Sequence, residues 1–158
     1  MTSSDCLFCK IGSGEINANV IYENDEVIAF RDINPQAPTH ALIIPKRHIS
    51  TINDLEEGDA EIVGKLYLAA KEIASQEGFS EPGYRVTMNC NAAAGQTVFH
   101  IHLHLLGGRD FAWPPGWLDR LSARPFDRFI RRLKLSYRRG LISPASTARF
   151  TAQSGSRR

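Results

Sequence analysis

The sequence predicts an α+β domain, an antiparallel sheet of about five strands carrying one long helix. Three observations predict it. Two short β-rich apolar runs come first, one stretch of helical periodicity follows, and two further extended runs close the pattern. The order is therefore strand, strand, helix, strand, strand, and no internal repeat interrupts it.

Each element has its own justification. Val27–Arg31 and Ala41–Ile44 are rich in branched and apolar side chains that suit a pleated surface. Between them, Asn34-Pro35-Gln36-Ala37-Pro38 must form a loop, because its two prolines lack the N–H that a ladder needs. Over residues 54–77, Ile62, Val63, Leu66, Ala69, Ala70 and Ile73 recur at helical spacing. Acidic residues gather at the N-terminal end of that stretch, where the helix dipole favours them, and Gly78 is a natural stop. Tyr84–Asn89 and Val98–Leu106 read as strands separated by the small-residue loop Ala92–Gly95, so a hairpin is expected. Gly107-Gly108 ends the second strand, and Trp113-Pro114-Pro115-Gly116 is stiff and non-repetitive.

Composition divides the chain in two. Its 158 residues carry 19 Lys+Arg against 17 Asp+Glu, a net charge of +2 that averages unlike segments. Residues 1–116 hold 8 basic and 15 acidic side chains, giving −7, whereas residues 117–158 hold 11 basic and 2 acidic, giving +9. An acidic body of residues 1–116 with a basic extension of residues 117–158 is expected. In the extension, Phe126, Ile130, Leu133, Tyr137 and Leu141 outline a basic amphipathic helix, and Ser143–Arg158 has the composition of a disordered segment. The apolar content of 42% rules out a wholly disordered chain. The first residues show neither a basic region nor an apolar stretch, no run approaches a membrane span, and three cysteines do not make a disulfide scaffold. A cytoplasmic location is the expectation.

The chemistry centres on His100-Ile101-His102-Leu103-His104. On a strand, side chains alternate, so the three histidines would share one face, with Phe99, Ile101, Leu103 and Leu105 on the other. Successive histidine Cα atoms would then stand about 6.6 Å apart. Core packing accounts for one such histidine, hardly for three in register. Two chemistries fit: three imidazoles around a zinc ion that activates water, or one imidazole attacking directly while its neighbours handle protons. The loop upstream, Asn89-Cys90-Asn91-Ala92-Ala93-Ala94-Gly95-Gln96-Thr97, combines small residues with amide and hydroxyl donors. Such a loop lets backbone N–H groups approach an anion, which favours phosphoryl chemistry on an imidazole nucleophile.

Residues Gly95 to Arg109, together with Asp32-Ile33-Asn34-Pro35-Gln36-Ala37-Pro38-Thr39-His40, Ile44-Pro45-Lys46-Arg47-His48-Ile49 and Trp113-Pro114-Pro115-Gly116, resemble the histidine triad (HIT) family, specifically its Hint branch. The resemblance runs from about Cys6 to Gly116, and several separate motifs fall in the right order. It implies a nucleotide hydrolase or transferase that cleaves nucleoside 5′-phosphoramidates, adenosine 5′-monophosphoramidate among them, through a covalent nucleotidyl-histidine. His102 would be the nucleophile, with His104 and His40 assisting by hydrogen bonding and proton handling. Asn89, Gln96 and Thr97, with the backbone near Gly95, would hold the phosphate. Asp32 would bind the ribose hydroxyls, and Leu7, Phe8, Ile11, Phe30, Ile33 and Leu42 would line the base pocket of a purine nucleotide. The resemblance further implies a homodimer with a sheet continuous across two subunits.

The pair Cys6-x-x-Cys9 needs two more ligands to hold a metal, and His48 and His100 are the candidates for a structural Cys2His2 zinc site like that of zinc-binding HIT relatives. A pair of reduced thiols is the alternative, and Cys90 reads as packing. Thr97 stands where serine is common in the family, and Ala93 and Ala94 replace more polar residues. Residues 117–158 match nothing in the family and read first as a solvated extension, with contact to nucleic acid or an anionic surface as the alternative. Two other functions compete: a dinucleoside polyphosphate hydrolase, and a non-catalytic nucleotide-binding scaffold.

Overall fold

A computed structural model describes residues 5–112 and 115. The boundary at Gly116, the basic helix expected over 126–141 and the segment from Ser143 lie outside the described residues. The elements run α1 (Leu7–Gly12), β1 (Val20–Glu23), β2 (Val27–Arg31), β3 (Thr39–Pro45), α2 (Ala60–Gln76), β4 (Arg85–Met88) and β5 (Leu103–Gly107). The five strands form one antiparallel sheet in the order β1-β2-β3-β5-β4. The α+β expectation holds, including the pairing of β4 with β5.

Alternation along the strands builds two faces. Val27, Ala29, Ala41, Ile43, Leu103 and Leu105 point to one side, where Leu66, Ala69 and Ile73 of α2 cover them. On the other side Ile28, Phe30, Leu42 and Ile44 pack under Phe8 and Ile11 of α1. β3 is consequently buried along its whole length, which explains its near-continuous apolar sequence. His40, His102 and His104, in step with Leu42, fall on the α1 side.

Four differences from the expected elements have physical causes. α1 and β1 went unread because six and four residues are too short to show a period. The long helix begins at Ala60 and not at residue 54, because Ile52–Asp54 and Glu57–Asp59 form separate 3-10 turns. In these turns Asp54 Oδ2 accepts from the Thr51 N–H (2.9 Å) and Asp59 Oδ2 from the Glu56 N–H (3.0 Å). The last strand begins at Leu103 and not at Val98, so His100 and His102 precede it. The ladder stops there because Pro45, at the end of β3, has no N–H to extend it. The Ile101 N–H instead donates to the Ile49 carbonyl at 2.7 Å. Phe99 is half-buried and stays outside the α2-side core that holds Ile101, Leu103 and Leu105.

Candidate active site

Although His100 and His102 lie off the strand, the three histidines remain on one side. Phe8 of α1 meets the His100 and His102 rings edge-on at centroid distances of 6.1 and 5.2 Å, and His102 meets His104 at 4.9 Å. Backbone partners then settle what each ring can do. The His100 carbonyl lies 2.7 Å from His102 Nδ1, and a carbonyl only accepts, so His102 carries its proton on Nδ1. Its Nε2 keeps a bare lone pair, the form in which imidazole attacks an electrophile.

A second chain of partners runs through His40 and His104. The Gln36 N–H donates to His40 Nδ1 at 3.2 Å, which leaves the His40 proton on Nε2. That N–H reaches His104 Nδ1 at 3.0 Å, and Asp32 Oδ2 stands 3.5 Å away. His104 is left with an N–H at Nε2, a donor. Burial holds the protonation of His104 down to about 4, with the neighbouring His102 and His40 adding to the effect. Burial lowers His40 as well, partly opposed by the Asp32 carboxylate. The pair is therefore neutral at pH 7. Asp32, His40 and His104 lie close enough to hold a cation. The Gln36 N–H argues against that use, because it requires His40 Nε2 to keep its proton and so occupies the atom a metal would need.

The loop before the histidines is held in an unusual backbone path. Gly95, at φ +87°, sits in the left-handed region where glycine is at ease, whereas Asn91, at φ +66° and ψ 174°, holds a conformation that essentially only glycine adopts freely. Asn89 lies beside Gly95, and its side chain makes no hydrogen bond among the described residues; the Thr97 hydroxyl is exposed and likewise uncommitted. Both suit the expected contacts to a phosphate. Gln96 differs from expectation. Only 3% exposed, its side chain accepts from the Asn91 N–H at 2.8 Å and donates to the carbonyls of Ser50 (2.8 Å) and Val98 (3.2 Å). With its amide committed in this way, Gln96 holds the loop together and its side chain is not offered to a ligand.

Beside the histidines a cleft of about 540 Å³ opens between α1 and the sheet. Leu7, Phe8, Ile11, Phe30, Ile33 and Leu42 all line it, and Asp32 sits on its wall. Ile33 is fully exposed on the rim, a position that core packing does not explain.

The fourth feature is a tight cluster of sulfur and nitrogen. Cys9 Sγ lies 3.3 Å from His48 Nδ1 and 3.5 Å from His100 Nδ1, Cys6 Sγ is 3.5 Å from His100 Nδ1, and the two Nδ1 atoms are 3.3 Å apart. Tetrahedral zinc with ordinary bond lengths has ligand–ligand edges of about 3.3–3.7 Å, so the donors are already spaced for it. The outer nitrogens are held too: His100 Nε2–H donates to the Pro45 carbonyl at 2.8 Å, and His48 Nε2 pairs with Ser50 Oγ at 3.2 Å. This leaves the His100 Nδ1 lone pair facing the cluster, as metal-binding histidines require. Burial and the adjacent Cys6 push the Cys9 thiol up to about 11, a cost that a cation among the sulfurs would reverse. Cys6, Cys9, His48 and His100 form a Cys2His2 set that fits a structural zinc ion. Pro45, Ser50 and the Gln36 N–H were not legible as site groups, since two of them act through backbone atoms that sequence does not distinguish.

The HIT domain model matches residues 13–111. A "14 kDa zinc-binding protein" of Zea mays is 51% identical over 118 residues, covering 73% of this chain and 91% of that protein. The purine nucleoside phosphoramidase of Escherichia coli is 50% identical over 107 residues, covering 68% and 90%. A HIT family hydrolase from Legionella pneumophila superposes with a TM-score of 0.70 at 58% identity, covering 71% of this chain and all of that one. With a family model spanning residues 13–111 and relatives at about 50% identity, this chain belongs to the histidine triad (HIT) family.

Proposed function

We propose that the protein hydrolyses nucleoside 5′-phosphoramidates of the adenosine monophosphoramidate type through a nucleotidyl-histidine at His102. One observation carries the reading: the His100 carbonyl, 2.7 Å from His102 Nδ1, leaves the Nε2 lone pair as a nucleophile. The base lies in the apolar cleft, ribose hydroxyls donate to Asp32, and the phosphate meets Asn89, Thr97 and the backbone near Gly95. His102 Nε2 forms a bond to phosphorus as the P–N bond to the leaving amine breaks. The departing nitrogen takes up a proton from solvent, since the neutral His40–His104 pair serves by hydrogen bonding, and the water that cleaves the adduct releases one in return. The name of the Escherichia coli relative supports this substrate class, and the hydrolase title of the Legionella structure supports the reaction type.

A structural zinc ion held by Cys6, Cys9, His48 and His100 would bind this centre to the N-terminal segment, and the name of the Zea mays relative agrees with it. Thiols serving as ligands suit a reducing, cytoplasmic compartment, and among the described residues no helix is long and apolar enough to cross a membrane. We read residues 1–116 as the enzymatic unit and 117–158 as an addition to it. A homodimer is supported by Tyr67 and Leu68 of α2, which are 51% and 64% exposed, and by β4 as an edge strand. The test is rapid quench with a fluorogenic adenosine phosphoramidate, followed by mass spectrometry. Wild type should carry one nucleotidyl group on His102, and His102→Ala should lose about 10⁴-fold or more in kcat with no adduct. Turnover without an adduct, or undiminished activity in the variant, overturns the mechanism.

A further inference from the structure

The Nε2–H tautomer of His40, which the Asp32 carboxylate favours from one side, is set from the other by one peptide N–H in an exposed loop. Of the five residues Asn34-Pro35-Gln36-Ala37-Pro38, two are prolines without an N–H, and Asn34 to Gln36 are exposed. Within it the Gln36 N–H meets His40 Nδ1 at 3.2 Å. Inside the loop the Asn34 N–H donates to Asp32 Oδ1 at 2.8 Å and the Gln36 side chain to the Asn34 carbonyl at 3.0 Å, but neither bond reaches the Gln36 backbone. On the other side of the Gln36 Cα, in the next peptide group, Arg109 Nε–H donates to the Gln36 carbonyl at 3.1 Å, so the residue is pinned between two hydrogen bonds.

Arg109 is itself held on two further sides. One guanidinium nitrogen donates to the Asp110 carbonyl at 3.0 Å, and the guanidinium lies 4.3 Å from the centre of the Phe111 ring, which Arg85 approaches at 4.9 Å. Cation–π contact with a ring on the same short segment restricts a side chain that would otherwise be free in solvent. Just before it Gly108, with φ of +83°, lets the chain leave β5 close against Pro38, where an added Cβ would come within 3.0 Å of the proline ring. The exit of β5 thus clasps the loop at two points, Pro38 and Gln36.

We infer that Arg109 is a positioning residue for the reaction: by pinning the Gln36 carbonyl it keeps that residue's N–H against His40 Nδ1, which with the Asp32 carboxylate holds the His40 proton on Nε2, and through His40 it leaves His104 as a donor toward the substrate. The inference rests on the proposed roles of His40 and His104, and it gives Arg109 no contact with substrate. Removing the guanidinium frees Gln36 and loosens its N–H from His40 Nδ1, so the Nδ1–H tautomer gains population against the pull of the Asp32 carboxylate. Whenever His40 carries its proton on Nδ1, its Nε2 cannot donate to His104, and the orientation of the His104 N–H is lost.

The test is made on the full chain with 15N-labelled histidine. In wild type the His40 Nε2 signal should be of the protonated, pyrrole type and the Nδ1 signal of the pyridine type, assigned against His40→Gln. In Arg109→Ala the two should move toward averaged values, and kcat with the phosphoramidate should fall about tenfold while KM changes by less than about twofold. Arg109→Lys, which keeps the charge without the planar fork, should fall between. Phe111→Leu removes the ring beside the guanidinium and gives the same readout should Arg109→Ala fail to fold. An unchanged His40 signal pair in the folded variants overturns the inference, whatever the activity. Absence of turnover in wild type would instead overturn the phosphoramidase reading, because the tautomer measurement needs no substrate.

Discussion

Gln96 offers a sharp test of how the loop before the histidines is held. Replacing it by alanine removes one acceptor and two donors from a side chain that is 3% exposed. The bonds lost are those to the Asn91 N–H (2.8 Å) and to the Ser50 and Val98 carbonyls (2.8 and 3.2 Å). At about 1 kcal/mol net per buried hydrogen bond, Gln96→Ala should cost about 3 kcal/mol. Gln96→Glu is more informative because it keeps the size and the acceptor. The introduced carboxylate would face two carbonyl oxygens with no proton to offer, so two bonds become repulsions, at a cost of about 2 kcal/mol or more. That environment favours the neutral acid and raises its folded pKa above the unfolded value. The folded state then binds the extra proton more readily, so the deficit should be greatest at neutral pH and shrink as pH falls. Urea unfolding of wild type and both variants at pH 7.5 and 5.5 measures this. A Gln96→Glu deficit below about 0.5 kcal/mol at pH 7.5, or one that does not shrink at pH 5.5, would refute a structural role for the amide.

Three other outcomes are expected. Purified protein should contain one zinc per chain; chelation should lower the thermal midpoint, and Cys9→Ser should bring the metal content of the isolated protein close to zero by elemental analysis. Gly107→Ala places a Cβ 2.6 Å from the Phe79 ring and should cost about 1–3 kcal/mol by urea unfolding, with Phe79→Leu in the same chain recovering part of the loss. His104 is lowered from 6.5 to about 4 by burial, and His40 is lowered too. The unfolded chain therefore takes up protons first, and stability should be full above pH 6.5 and fall progressively toward pH 4. His104→Asn should flatten that fall in a series of urea midpoints, and an unaltered slope would count against the burial argument.

Legibility in the sequence followed the length over which a pattern could accumulate. The long helix was readable because Ile62, Leu66, Ala69, Ala70 and Ile73 repeat over several turns, and each of them is buried against the sheet. Val27–Arg31 was readable to the residue, because a continuous apolar run bounded by polar residues matches a strand covered on both faces. α1 offered no such length, yet it supplies Phe8, which touches two of the three histidines. The strand expected from Val98 failed at its start for a reason outside its own residues: its partner β3 ends in a proline.

By itself the sequence determined which residues could come together and in what order, since the spacing of His100, His102 and His104 and the presence of the Cys6-x-x-Cys9 pair are properties of the chain. It also determined the side on which they would lie, because alternation survives even where the ladder stops. Only the tertiary structure decided what each histidine can do. A ring becomes nucleophile, donor or metal ligand according to which nitrogen holds the proton. For His100 that is decided by the Pro45 carbonyl 55 positions away, for His102 by the His100 carbonyl, and for His40 by the Gln36 N–H. Imidazole presents two nearly equivalent nitrogens, and backbone groups brought in by folding distinguish them.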